Sequence, residues 1–212
     1  MGALGWALLA LAGLLAAADW VAVATGRRQL EYVCKPLAMV ALVAVALAIH
    51  PAVPAQRAWW LVALVFGLAG DVFLMLPRDR FVAGLAAFLL GHLAHITGFH
   101  AAGATISTTL VWLVVVLIPV SAALVLILRG AVRAGQRQMA VPIAVYAIVI
   151  SAMVASALSC GGKLAAGGAI LFIASDGLIG FRRFVSNQPW MGLAVIVTYH
   201  LGQAALVLSL VR

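Results

Sequence analysis

Long apolar runs separated by short basic segments recur along the whole chain. They cover about residues 3–24, 36–49, 58–76, 82–99, 105–128, 139–158, 164–181 and 190–211. Each is too long for an ordinary strand, and a helix satisfies its own backbone groups in lipid. The pattern predicts an all-α polytopic membrane protein of about eight transmembrane helices. The second run reaches spanning length only if it extends back to about Glu31. The first run has no basic residue before it and is interrupted by Asp19, which argues against a cleaved signal peptide.

Composition supports the same class. Of the 212 residues, 67% are hydrophobic and 8% charged, and the mean hydropathy is +1.22. A soluble domain carries roughly three times that charged fraction. Eight spans leave no room for a separate soluble domain, so any chemistry belongs in or at the edge of the bilayer. The net charge of +8 does not imply nucleic acid, because the basic residues sit in the short loops between spans. The partner it implies is membrane lipid.

Ten of the thirteen basic residues fall in the odd-numbered loops: Arg27, Arg28, Lys35, Arg78, Arg80, Arg129, Arg133, Arg137, Arg182 and Arg183. Arg57, Lys163 and Arg212 fall on the other side. The positive-inside rule predicts cytoplasmic odd loops, external termini and insertion in the cell (inner) membrane. Trp59, Trp60 and Trp190 stand at predicted helix ends, where interfacial anchors belong. Cys34 and Cys160 fall on opposite sides and are not expected to pair.

An internal repeat is expected at a spacing near 105 residues. Asp71 corresponds to Asp176, Arg80 to Arg183, Pro36 to Pro142 and His92 to His200, at offsets of 105, 103, 106 and 108. The spacing predicts two parallel half-repeats, 1–104 and 105–212, within one transmembrane domain.

The acids are the candidate chemistry. An intramembrane Asp costs roughly 2.5–3.5 kcal/mol on insertion scales, and the chain has only five acids in all. Asp71 and Asp176 each lie six residues before the cytoplasmic end of their spans, which puts both about 9 Å inside the boundary. Asp19 lies slightly deeper in the same leaflet. Lys35 is expected to cap the start of the second helix on that side, where Asp19 could pair with it or with Arg28. His92, Tyr199, His200 and Gln203 lie beneath, with Tyr199 and Gln203 on one helix face. Gly70, Ser175 and Gly177 are small enough to admit a close neighbour. A single polar cavity, open to the cytoplasmic leaflet, would hold all of these groups. His95 and His100 fall toward the external side.

At these residues the chain resembles the lysoplasmalogenase-like YhhN family of multi-pass membrane proteins. The resemblance rests on Lys35-Pro36-Leu37, on Gly70-Asp71 followed by Leu74, and on Phe81-x-x-Gly84 with Phe88 and His92. It continues in Phe172-x-x-Ser175-Asp176 and Tyr199-x-x-x-Gln203. The family pattern usually has Tyr where this chain has His95. What the resemblance implies is an eight-helix hydrolase of the lysoplasmalogen vinyl-ether bond, with no metal or other cofactor. Its substrate would be lysoplasmenylethanolamine or lysoplasmenylcholine. Its products would be a fatty aldehyde and a glycerophospho-headgroup, and Asp71 and Asp176 would be the catalytic pair.

Two carboxyl groups suit that chemistry. A vinyl ether is protonated at carbon to an oxocarbenium ion, water adds, and the hemiacetal collapses. One Asp would stay protonated and deliver the proton while the other, ionised, steadies the cation and orients water. The residues alone do not say which is which. Aliphatic walls would take the alkenyl chain, and Lys35, Arg182 or Arg183 would hold the phosphate. Two other readings remain at this stage. One is a metal-dependent lipid hydrolase using His92, His95 and His200, although no HExxH-type cluster is present. The other is a small-molecule or proton-coupled transporter, although the acids lie off the midplane.

Overall fold

The computed structural model describes residues 1–211; Arg212, one of the three basic residues assigned to the external side, lies outside them. Eight helices follow in order: α1 (Ala3–Thr25), α2 (Arg28–Ala48), α3 (Pro54–Met75), α4 (Phe81–Ala101), α5 (Ile106–Arg133), α6 (Ala140–Cys160), α7 (Lys163–Phe184) and α8 (Met191–Leu208). A 3₁₀ turn, Arg137–Met139, leads into α6. Each α-helix is long and apolar enough to cross a membrane, and no strand occurs among the described residues. The protein is an all-helical, multi-pass membrane protein.

Local chemistry sets the helix ends. Gly26 adopts a left-handed conformation (φ 68°), and its N–H closes back on α1. Pro54 occupies the first turn of α3, where a missing N–H costs nothing. Thr105 caps α5 by accepting from the Thr108 amide. Asp79 accepts from the Phe81 amide at 3.0 Å, at the start of α4.

Three expectations need correction. First, α2 begins at Arg28, so Pro36 is inside the helix and Lys35 is no cap. Glu31 in the first turn favours that earlier start, since an acid suits the positive end of a helix. Lys35 therefore lies about 10 Å along the helix from its first residue. Second, α5 runs on to Arg133, so Arg129 and Arg133 decorate its last turns instead of a loop. Third, Trp60 is no interfacial anchor. It is fully buried, and its indole N–H donates to the Leu206 carbonyl at 2.6 Å. An indole in the core needs such an acceptor. Trp59 and Trp190 do remain exposed.

Sequence neighbours pack as helical hairpins: α1 with α2, α3 with α4, α5 with α6 and α7 with α8. Further contacts join α4 to α6, α2 to α3 and α8, α6 to α7, and α1 to α8. Small residues permit the close crossings that lipid-embedded helices favour. A Cβ on Gly168 would come within 2.8 Å of the Gly202 carbonyl oxygen, so α7 and α8 touch backbone to backbone there. Helix α5 is peripheral; of its residues only Thr109, Ile127 and Ala131 are buried. The two cysteines are free.

Candidate active site

Each of the two candidate aspartates is held by side chains from two other helices. Asp71, on α3, is buried. Its Oδ1 lies 3.1 Å from the Lys35 ammonium of α2, and its Oδ2 accepts from the Tyr199 hydroxyl of α8 at 2.6 Å. Asp176, on α7, is less enclosed. Its Oδ2 accepts from the Tyr146 hydroxyl of α6 and lies 3.3 Å from His92 Nε2 of α4. His92 Nε2 is also 2.9 Å from the Tyr146 oxygen. The His92 tautomer with its proton on Nε2 serves both contacts.

An aromatic layer joins the two clusters. The Phe172 ring packs edge-on against Tyr199 and against His92, with centroids 5.4 and 4.9 Å apart. Phe88 packs edge-on against Phe172 and Tyr199. The Phe88 ring is admitted by Gly70, where a Cβ would lie 2.6 Å from it. Such pairs fix ring orientation as well as burying area.

Two cavities adjoin this layer. The first, about 140 Å³, is an aliphatic and aromatic slot between α4, α5, α6 and α7, with Leu74 of α3 at one end. Its titratable lining groups are Tyr146 and Asp176. The second, about 630 Å³, is a polar vestibule formed where the α1–α2, α3–α4 and α7–α8 connections meet. Arg28, Lys35, Arg78, Arg80, Arg182 and Arg183 line it, against the acids Glu31 and Asp79. Leu74, Phe81 and Ile179 line both cavities and form the partition between them. Arg183 lies over the Phe81 ring at 4.2 Å and pairs with Asp79 Oδ2 at 2.7 Å.

The single polar cavity expected from the sequence is therefore not formed. Asp176 lines the slot, and Lys35 and Arg182 line the vestibule. Asp71, His92, Tyr199 and Gln203 are packed behind these walls. Gln203 Nε2 reaches the Tyr199 oxygen at 3.5 Å. Asp19 and His200 make no hydrogen bond to either aspartate cluster. Asp19 is buried without a hydrogen bond among the described residues, and Lys35 takes Asp71 rather than Asp19 as its ion-pair partner. His200 Nδ1 accepts from the Trp20 indole at 3.1 Å, which turns it toward α1. The adjacent residues Tyr199 and His200 point about 100° apart around α8, so Tyr199 meets Asp71 while His200 meets Trp20.

Tyr146 escaped the sequence reading. Its signal was a phenol, the one aromatic residue of an apolar span, whose hydroxyl must find a partner when buried. The three histidines do not form a metal centre. His92 faces Asp176, His95 packs edge-on against Trp60 and His200 meets Trp20. Among the described residues no group of three or more His, Cys, Asp or Glu side chains is placed to hold a metal ion.

The fold and this pair of cavities define a polytopic membrane protein with a carboxyl-bearing apolar slot beside a basic vestibule. Residues 30–210 match the model of the YhhN family, and the chain belongs to that family. It is 33% identical over 150 residues to human lysoplasmalogenase TMEM86B, covering 71% of this chain and 62% of the human protein. It is 34% identical over 181 residues to the lysoplasmalogenase of Mycobacterium tuberculosis, covering 82% of this chain and 68% of that protein. The mouse TMEM86B lysoplasmalogenase is 32% identical over 165 residues, covering 75% of this chain and 67% of the mouse protein. The chain thus spans about two thirds of these relatives' length. No solved structure matches it.

Proposed function

We propose that this chain is a lysoplasmalogenase, an ether hydrolase that cleaves the vinyl-ether bond of lysoplasmalogens. The products are a fatty aldehyde and a glycerophospho-headgroup. One observation carries the reading: an apolar slot bearing a carboxyl group adjoins a basic vestibule across the shared partition of Leu74, Phe81 and Ile179. That is the shape of a single-chain phospholipid. The alkenyl chain lies in the slot and the phosphate lies among Lys35, Arg182 and Arg183. The vinyl-ether bond, between chain and headgroup, then falls near Asp176. The names of the relatives support the same substrate.

The reaction uses aspartate acid–base chemistry, with one of Asp71 and Asp176 as proton donor and the other as a fixed anion. A phosphate site suits lysoplasmenylethanolamine and lysoplasmenylcholine alike, because both carry that group. The excess of basic residues at the vestibule end supports a cytoplasmic vestibule, a site in the inner leaflet of the cell membrane and external termini.

The test is product analysis by mass spectrometry. Purified protein is incubated in detergent micelles with lyso-alkenyl, lyso-acyl and lyso-alkyl phospholipids of equal chain length. Aldehyde release from the alkenyl lipid alone is expected. Fatty acid from the acyl lipid, with no aldehyde from the alkenyl one, would overturn the reading.

A further inference from the structure

The two aspartates are not equivalent, and the difference is visible atom by atom. With the helices divided into a first and a last four, each Asp sits on the third helix of its group. Each is held by the second helix of its own group and the fourth of the other: Lys35 and Tyr199 for Asp71, Tyr146 and His92 for Asp176. The corresponding places hold different chemistry. Asp71 has a donor on each oxygen, and one of them is an ammonium. A carboxyl group engaged in this way accepts at both oxygens, and its negative charge is matched by the ammonium beside it. It also lines neither cavity.

Asp176 is arranged oppositely. Tyr146 and His92 both converge on Oδ2. Oδ1 has no hydrogen-bond partner among the described residues, and it is not among the buried unpartnered atoms. The residue lines the slot, beside Gly177, where an added Cβ would meet nothing within 4 Å. One oxygen is anchored and the other is free beside open, apolar space.

Resting on the lysoplasmalogenase reading, we infer that Asp176 is the proton donor, acting through Oδ1, with Tyr146 and His92 as positioning residues that hold Oδ2. Asp71 is the fixed anion, and it acts by positioning the Lys35 ammonium at the vestibule for the substrate phosphate. The steps balance on one residue. The Oδ1 proton goes to the alkenyl carbon remote from the ether oxygen; that C–H bond forms as the C=C π bond breaks, leaving an oxocarbenium ion. Water adds to the cationic carbon and gives its proton to the Asp176 carboxylate. The hemiacetal then collapses. Its C–O bond to glycerol breaks, the glycerol oxygen takes the proton held by Asp176, and the hemiacetal hydroxyl returns a proton to Asp176 as the aldehyde forms.

The experiment compares wild type with Asp176→Asn, Tyr146→Phe and Asp71→Asn in the full-length protein. It reads kcat and KM for a lyso-alkenyl phospholipid and Kd for the uncleavable lyso-alkyl phospholipid. Asp176→Asn should lose about 10²–10⁴-fold in kcat, the worth of a general acid, and keep the wild-type Kd. Tyr146→Phe should lose about tenfold in kcat, the worth of one hydrogen bond to a charged group, with KM unchanged. Asp71→Asn should act mainly on KM and Kd, both rising several-fold. The double variant Lys35→Gln with Asp71→Asn, which removes both charges together, should behave likewise and covers the case of a single variant that does not fold. The assignment is overturned if Asp176→Asn keeps kcat within tenfold of wild type, or if folded Asp71 variants lose kcat as severely at unchanged Kd. Wild-type aldehyde release in the same assay tests the underlying reading separately. Its absence would remove both.

Discussion

Lys35 and Asp71 come from different helices yet lie 3.1 Å apart with the carboxylate fully enclosed. Separating two such charges is costly, because the remaining one stays buried without a partner. Lys35→Met is therefore expected to destabilise the protein by about 3–5 kcal/mol. Lys35→Gln combined with Asp71→Asn should recover most of that loss. Thermal unfolding in detergent, followed by circular dichroism, measures both. A double variant no more stable than Lys35→Met would mean that the pair is not the source of the effect.

Protonation at carbon leaves an isotopic mark. In D₂O, the aldehyde should carry one solvent-derived deuterium on the carbon next to the carbonyl. Immediate reduction to the alcohol traps it, and mass spectrometry reads it. Product without deuterium would exclude the oxocarbenium route.

Gly177 offers a way to shorten the slot without disturbing the fold. A side chain there enters open space, and replacing a mid-helix Gly adds roughly 0.8 kcal/mol of helix propensity. Gly177→Leu should keep its thermal stability while losing about tenfold or more in kcat/KM for long alkenyl chains, on the scale of 1–3 kcal/mol per unfavourable contact in an apolar pocket. Short-chain substrates should suffer less. Equal losses at all chain lengths would mean that the slot does not hold the chain.

At the basic end, the Arg183 guanidinium holds the Asp79 carboxyl below the usual carboxylate range. A lowered folded value means that the ion pair contributes above the ordinary Asp pKa and fades as pH falls through the lowered one. The pair is largely exposed, so Asp79→Asn should cost no more than about 1 kcal/mol at neutral pH. Unfolding of wild type and variant should converge at strongly acidic pH. A gap that widens on acidification would reverse the sign of this linkage.

The architecture was readable from the chain because lipid imposes one rule throughout: every backbone polar group must be satisfied inside its own span. Run lengths therefore located all eight helices. Their ends were less legible where polar residues are helical. The Arg28–Lys35 segment looks like a loop by hydropathy, yet it forms the first two turns of α2. Asp71 and Asp176 stood out because few acids occur at all. Their unlike surroundings did not, since hydropathy cannot report which neighbour meets which oxygen. Tyr146 was hidden by being an uncharged residue in a strongly apolar helix, and Trp60 by lying close to a helix end while facing inward. Both outcomes depend on the rotation of a helix about its axis, a property that only packing determines.

The partition of Leu74, Phe81 and Ile179 has a consequence for what happens after cleavage. In the proposed reaction, the fatty aldehyde would be left among hydrocarbon walls, with the peripheral α5 on one side of it. The glycerophospho-headgroup would be left among cations at the aqueous margin. Each fragment is already in the phase that dissolves it, so departure requires no crossing from oil to water. Severing the bond thus sorts the halves of an amphiphile, and recombination is opposed by their diffusing apart in different solvents.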